Sequence, residues 1–318
     1  MLEGSEGEEE ARVMPEAGLS SGEHALQLIQ QQSRRLGRLH QDVLADNDPE
    51  PLHQFRVSLR RLRTALSQFA PALELPEGVS SARIAGLARR TGLTRDLDVL
   101  RQRLEEEILP RLPEQERRAL RPALKRLRRE RGQAFEAVRE ALHSSRYLKL
   151  LARLGRWQAQ PVFTPLGRQP LLPWLQEWHQ PLSSALFLEP GWHAASAADD
   201  ELHELRKRIK GVRYALEHLE EAMDPPARAW IAVLKRAQSI LGDLHDWQVL
   251  EECLLERPGA RAAEQLAVLR SGIEADRAER WRQWQELAAR MLREESRRAL
   301  TALTAPPFEL EAEPGSQG

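Results

Sequence analysis

A fourteen-residue stretch occurs twice in this chain. Residues 53–66 read HQFRVSLRRLRTAL and residues 203–216 read HELRKRIKGVRYAL, at an offset of 150 with no gap. The histidine, two arginines, the alanine and the final leucine are identical, and Lys210 stands in place of Arg60. On a helix advancing about 100° per residue, His53, Arg56, Arg60 and Arg63 fall within an arc of about 80°. Phe55, Leu59, Leu62 and Leu66 fall within about 60°, and the two arcs are centred only about 110° apart. His203, Arg206, Lys210 and Arg213 repeat the pattern. A solvated charged face normally lies opposite the apolar one. A basic stripe that borders the core instead should line a groove or a seam between helices.

A second block repeats at the same offset: residues 91–100 read TGLTRDLDVL and residues 241–250 read LGDLHDWQVL. Arg89, Gly92 and Asp96 share one helix face, as do Lys235, Gly242 and Asp246. The glycines leave room for a close neighbour. The aspartates are placed to clamp a basic side chain from the stripe; a metal or general-acid role is the less favoured reading. Asp98 aligns with Gln248 and falls outside the repeated set.

A third pattern repeats at offset 149. Leu124, Arg128, Arg131, Phe135, Val138 and Leu142 correspond to Ile273, Arg277, Arg280, Trp284, Leu287 and Met291. Two arginines interrupt each apolar seam, and an unpaired buried charge costs several kcal/mol. Either carboxylates neutralise all four or they face an anion-filled channel. Asp96 and Asp246 are too few for the whole set, which favours the channel. Apolar replacement of Arg131 and Arg280 is then expected to leave the fold intact.

The rest of the chain reads as helix. Residues 23–45 keep a helical period, and Asn47-Asp48-Pro49-Glu50 signals a helix start. Further helices are expected over 81–109, 114–143, 145–160, 175–188, 200–223, from 227 to about 257, and 261–300. No alternating β-branched run suggests a strand. Residues 161–173 carry four prolines and read as a linker. Residues 1–20 and 303–318 are expected to be disordered. The six glutamates within residues 1–16 and the three in the tail leave the body between them net basic, although the whole chain carries -1. A basic body suits an acidic partner. Cys253 is the sole cysteine, which fits a reducing compartment and a small buried side chain. No signal peptide and no membrane-spanning run is expected. None of the nine histidines has metal-ligand spacing, and Trp174, Trp178, Trp281 and Trp284 sit at helical spacing as packing residues.

The motifs His53-x-x-Arg56-Val-x-x-Arg60-Arg-Leu-Arg63, Gly92-x-x-Arg95-Asp96-x-Asp98-Val99 and His203-x-Leu-Arg206-x-x-x-Lys210-x-x-Arg213-Tyr214 resemble those of the CHAD family, the conserved-histidine α-helical domains. The resemblance runs from about residue 20 to 302. It implies an all-α fold of two four-helix bundles related by pseudo-twofold symmetry, with halves at 21–160 and 161–302. It also implies a basic central groove that binds inorganic polyphosphate. Thr91 departs from the usual leucine before Gly92, and His245 stands where arginine is a natural expectation. Some family members carry an N-terminal triphosphate-tunnel domain; residues 1–20 hold no ExExK pattern, so no activity of that domain is expected.

The sequence therefore reads as a non-catalytic, cofactor-free cytoplasmic binder of polyphosphate, with association with polyphosphate granules left open. Expected contacts are His53, Arg56, Arg60, Arg63, Arg89, Arg128, Arg131, His203, Arg206, Lys210, Arg213, Lys235, Arg277 and Arg280, with Asp96 and Asp246 orienting them. No membrane partner is expected, and no protein partner is legible. A nucleic-acid binder and a metal-dependent phosphate-transfer or hydrolysing enzyme are the alternatives.

Overall fold

Side-chain caps mark where four of the helices begin. Ser20 and Glu23 form a reciprocal capping box at the start of α1 (Ser21–Ala45). The Asp48 carboxylate accepts from the Glu50 amide at 2.7 Å, with Pro49 at the first position of α2 (Pro49–Gln68). Ser80 and Ser144 cap α3 (Ser81–Arg90) and α6 (Ser145–Ala159) in the same way. The remaining helices are α4 (Gly92–Gln102), α5 (Glu114–His143), α7 (Leu175–Phe187), α8 (Asp200–Leu219), α9 (Ala229–Glu251), α10 (Ala267–Met291) and α11 (Glu294–Thr301).

This computed structural model describes residues 18–197, 200–256 and 266–310. The chain is all-helical: among the described residues the only β contacts are isolated bridges, Ser20 to Pro170 and Leu73 to Phe163. No helix among them is long and apolar enough to cross a membrane. α2 lies on α1, α3 and α8, while α8 lies on α7, α9 and α2. The two copies of the repeated stretch are thus the two helices that meet.

Two expected helices are broken. The 81–109 segment splits at Thr91 and unwinds after α4 into a π-helical turn, Arg103–Ile108. The 261–300 segment breaks where Arg293 turns extended, at φ -57° and ψ 143°, and its first residues, 261–265, lie outside the described residues. The expectation of disordered ends needs correction where the chain is described. Leu19 O accepts from the Leu171 amide at 3.1 Å, and the buried Trp230 indole donates to Thr304 O at 2.8 Å. Phe308 packs edge-on against Trp230. Residues 1–17 and 311–318 lie outside the described residues.

The main core runs through α1, α2, α6, α7, α8 and α9. A smaller core joins Leu97, Leu100, Leu104 and Leu120 from one half to Trp247, Leu250, Leu254 and Leu269 from the other. Polar ties cross the same boundary. The buried Glu116 carboxylate accepts from the Val268 and Leu269 amides at 2.9 and 3.0 Å. It caps α10 where the helix dipole favours an anion. Arg126 donates to Cys253 O at 2.8 Å, and Cys253 itself is buried, as expected.

Positions 68 and 218, equivalent in the repeat, touch each other. His218 Nδ1 donates to Gln68 Oε1 at 3.1 Å, Gln68 Nε2 donates to Ala215 O, and His24 Nε2 donates to His218 O at 2.6 Å. Burial pushes the His218 imidazole down to about 3, helped by Arg61 and His24. Its Nε2 has no acceptor, so a second proton would be buried unbonded. Burial likewise lowers His179 to about 4, against the pull of the Leu300 carbonyl. In the unfolded chain both return to about 6.5. The unfolded state therefore binds these protons first, and stability present above pH 6.5 is lost as pH falls towards 4. Thermal melts at pH 7, 6 and 5 should show that decline, at up to about 1.4 kcal/mol per pH unit for each histidine. His179→Gln with His218→Gln should flatten the slope; an unchanged slope would clear both of this role.

Candidate functional site

The basic stripes of α2 and α8 converge where these helices meet. Arg56 is buried, and its Nη1 donates to Ala88 O at 2.7 Å and to Thr91 Oγ1 at 2.9 Å. Burial pushes its guanidinium down to about 10, with Arg60 and Arg95 adding to the fall and Asp96 opposing it. Arg206 is also lowered, chiefly by burial and then by Arg60, against Asp246 and Asp96. Lys210 is pushed down to about 7 by burial and by Arg60, Arg206, Arg213 and Arg56. Equivalent residues of the two copies thus feel one another's charge directly. None of Arg56, Arg60, Arg206 and Lys210 makes an ion pair with a described residue.

The histidines flank this cluster. His53 is held below its ordinary value, first by burial, then by Arg95, Arg60 and Arg56, against Glu50. His203 is lowered by burial, Lys207, His245 and Arg206, against Glu204. Its ring lies 4.9 Å from that of His245, and its Nδ1 has no partner. A cavity of about 370 Å³ opens beside the pair, lined also by Asp200, Glu204 and Gln248. The cluster is therefore a half-enclosed cationic surface with uncommitted donors, suited to holding an anion with several negative groups.

The CHAD domain model matches residues 27–255. The chain belongs to the CHAD family. An uncharacterised protein of Mycobacterium tuberculosis strain CDC 1551 is 28% identical over 265 residues, covering 79% of this chain and 49% of that protein. The corresponding protein of strain H37Rv matches to the same extent. The chain thus spans about half the length of the curated relatives it matches. The crystal structure of the CHAD domain from the plant Ricinus communis superposes with a TM-score of 0.57 at 24% identity, over 90% of this chain and 92% of that one. PptA from Streptomyces chartreusis superposes with a TM-score of 0.63 at 18% identity, over 84% and 99%. What these two structures share with this chain is the CHAD fold.

Within that fold the expected site residues divide into two groups. The seam arginines are neutralised internally, contrary to the channel expectation. Arg131 is clamped by Asp46 and by Asp98, the latter at 2.8 Å, and Arg277 by Glu251. Arg280 meets Asp243 at 3.1 Å, and Arg128 is exposed and pairs with Glu105 at 2.8 Å. Asp98 is itself buried, although it has no counterpart in the second half. Arg213 is held by Glu217 and Gln238 and stacks on Tyr214. Arg63, Arg89 and Lys235 are exposed.

The orienting aspartates also differ from expectation. Asp96 is exposed and acts on Arg56, Arg206 and His245 through space, without an ion pair to a described residue. Asp246 lies 3.7 Å from Arg103, whose other amine bonds Asp243 at 2.8 Å. Burial raises the Asp246 carboxyl, against Arg206 and Arg103. The space at Gly92 admits the Arg56 guanidinium, 3.5 Å from where a Cβ would stand, whereas nothing approaches Gly242.

Three contributors escaped the sequence reading: Thr91, Arg95 and His245. The departure from leucine at 91 was the signal for the hydroxyl that seats Arg56. Arg95 and His245 are repeat equivalents, offset by 150, and both act on the cluster.

Breaking the Arg131 clamp should be costly. Arg131→Met strands the buried Asp98, and losing one partner of a buried pair costs about 3 kcal/mol or more. Adding Asp98→Asn should restore much of the loss. Denaturant midpoints of the single and double variants measure this, and a neutral Arg131→Met would return Arg131 to the channel.

Proposed function

We propose that this CHAD protein binds a linear polyanion, inorganic polyphosphate, in the basic groove between α2 and α8, and that it does so without catalysis. One observation carries the reading: Arg56, Arg60, Arg206 and Lys210 crowd together without ion-paired carboxylates, while the seam arginines of α5 and α10 are all paired. Burying like charges beside one another is unfavourable. An anion with closely spaced charges relieves both the burial and the repulsion. The two cationic stripes are related by the repeat, so a ligand with repeating, identical charged units can meet both in the same manner. The contact between equivalent positions 68 and 218 supports a pseudo-twofold relation between the halves, and with it the two-bundle arrangement that the family resemblance implies. His53 and His203 supply further donors from near the N-terminal ends of α2 and α8, with Arg63, Arg89 and Lys235 as outlying contacts. A cytoplasmic location suits such a ligand.

A single-stranded nucleic acid would share the charge but would need stacking platforms. Long-chain polyphosphate should therefore outcompete single-stranded nucleic acid at physiological salt. Its affinity should fall log-linearly with salt, by the counterion-release rule for polyanions. Arg60→Gln with Lys210→Gln should weaken it at least about tenfold, since each charge-assisted hydrogen bond contributes roughly 1.5–3 kcal/mol. Salt-independent affinity, or preference for the nucleic acid, would refute the reading.

Binding should also take up protons. His53, His203 and Lys210 are all held below their ordinary values in the free protein. A bound polyanion favours their charged forms, so affinity should rise as pH falls from about 8 to 6. Calorimetry in buffers of different ionisation enthalpy reads the uptake. Lys210→Arg should remove the lysine share, and His53→Gln with His203→Gln the histidine share.

A further inference from the structure

α6 differs from the other long helices in its charge. It carries Arg146, Lys149, Arg153 and Arg156 and no acidic residue. α5 and α10 pair many of their arginines with glutamates three or four residues away, as in Arg118–Glu114, Arg139–Glu136 and Arg282–Glu286. On α6, positions 146, 149 and 153 lie on one face, where like charges repel. None of the three makes an ion pair with a described residue, and neither does Arg83, which faces them from the start of α3.

These four cations line one cavity of about 370 Å³, together with Ser145, Leu150, Gly78 and a single carboxylate, Glu77. The loop that brings Glu77 and Gly78 to it is tied down on both sides. The Trp157 indole donates to Glu74 O at 2.9 Å, Glu74 N donates to Val162 O at 3.0 Å, and Val79 N closes a turn onto Pro76 O at 3.0 Å. Gly78 has φ +83°, and a Cβ there would stand 2.0 Å from Arg153 Nη1. The loop is thus shaped both to turn and to seat that guanidinium. None of the residues lining the cavity is aromatic, so it offers nothing for a base to stack on.

We infer that this cavity between the start of α3 and α6 is a second anion site, one that takes a short inorganic oligophosphate. Guanidinium forks and an ammonium around one small cavity match the bidentate demands of phosphate oxygens. The site shares no residue with the α2–α8 groove and does not depend on the function proposed for it.

The test uses the full chain and inorganic tripolyphosphate, with calorimetry for affinity and hydrogen exchange for location. Arg60→Gln with Lys210→Gln disables the α2–α8 groove. A binding event should persist in that variant, protecting residues 76–84 and 144–156 from exchange. Adding Arg146→Gln with Lys149→Gln should weaken it at least about tenfold. Both residues are exposed and unpaired, so the melting temperature should hold. Glu77→Gln removes the one carboxylate and should tighten binding severalfold, which a merely structural role would not produce. If tripolyphosphate binding vanishes with Arg60→Gln and Lys210→Gln alone, this site does not exist and the groove reading stands. If those two substitutions change nothing while Arg146→Gln with Lys149→Gln abolishes binding, this site stands and the groove reading falls. Citrate binding as tightly as tripolyphosphate would overturn the phosphate assignment.

Discussion

Where α2 meets α8, four basic side chains share a space that burial has already made unfavourable for charge. Lys210 shows the cost most plainly: enclosure and four neighbouring arginines push the pKa of its amine down to about 7. The rest of the fold supplies what keeps the groups there. Leu59, Leu62, Ile209 and Val212 bury the adjoining faces of the same two helices. Thr91 and the Ala88 carbonyl hold the Arg56 guanidinium through neutral acceptors, which fix its position without cancelling its charge. The hydrophobic gain along α2 and α8 thus offsets an electrostatic strain that a ligand can release.

The carboxylates are distributed accordingly. Asp46, Asp98, Asp243 and Glu251 neutralise the arginines that interrupt the α5 and α10 seams. Arg103 gathers Asp243 and Asp246 and lies over the Trp247 ring, joining α4 to α9. Glu217 pairs with Arg213 and with Arg61 at the edge of the α2–α8 cluster, while Asp96 acts on its centre only from a distance. Arginines therefore serve two ends in this chain: as packing elements where acids meet them, and as unneutralised charge where acids are withheld.

The stripes were legible because their angular spacing admits few placements. Charged and apolar arcs about 110° apart leave the charges at a helix seam, and α2 and α8 do meet there. The start of α2 was legible from its cap, Asp48 with Pro49 and Glu50 after it. The neutralising partners were not, for a physical reason. A repeat highlights residues that both halves share, yet each half neutralises its seam arginines with different residues: Asp98 has Gln248 as its equivalent, and Asp243 has Leu93. Charge compensation requires only a carboxylate within reach, so it leaves no periodic trace. The breaks at Thr91 and at Leu292-Arg293 were hidden as well, because neither contains a proline.

The Glu116 carboxylate that caps α10, together with the small core drawn from α4, α5, α9 and α10, bears on cooperativity. A helix end from one half has its free amides satisfied by the other half, and neither half buries its share of that core alone. Opening either half would strand polar and apolar groups in its partner. The duplicated chain therefore forms one cooperative unit: the repeat is modular in its sequence, while its unfolding is shared across both halves.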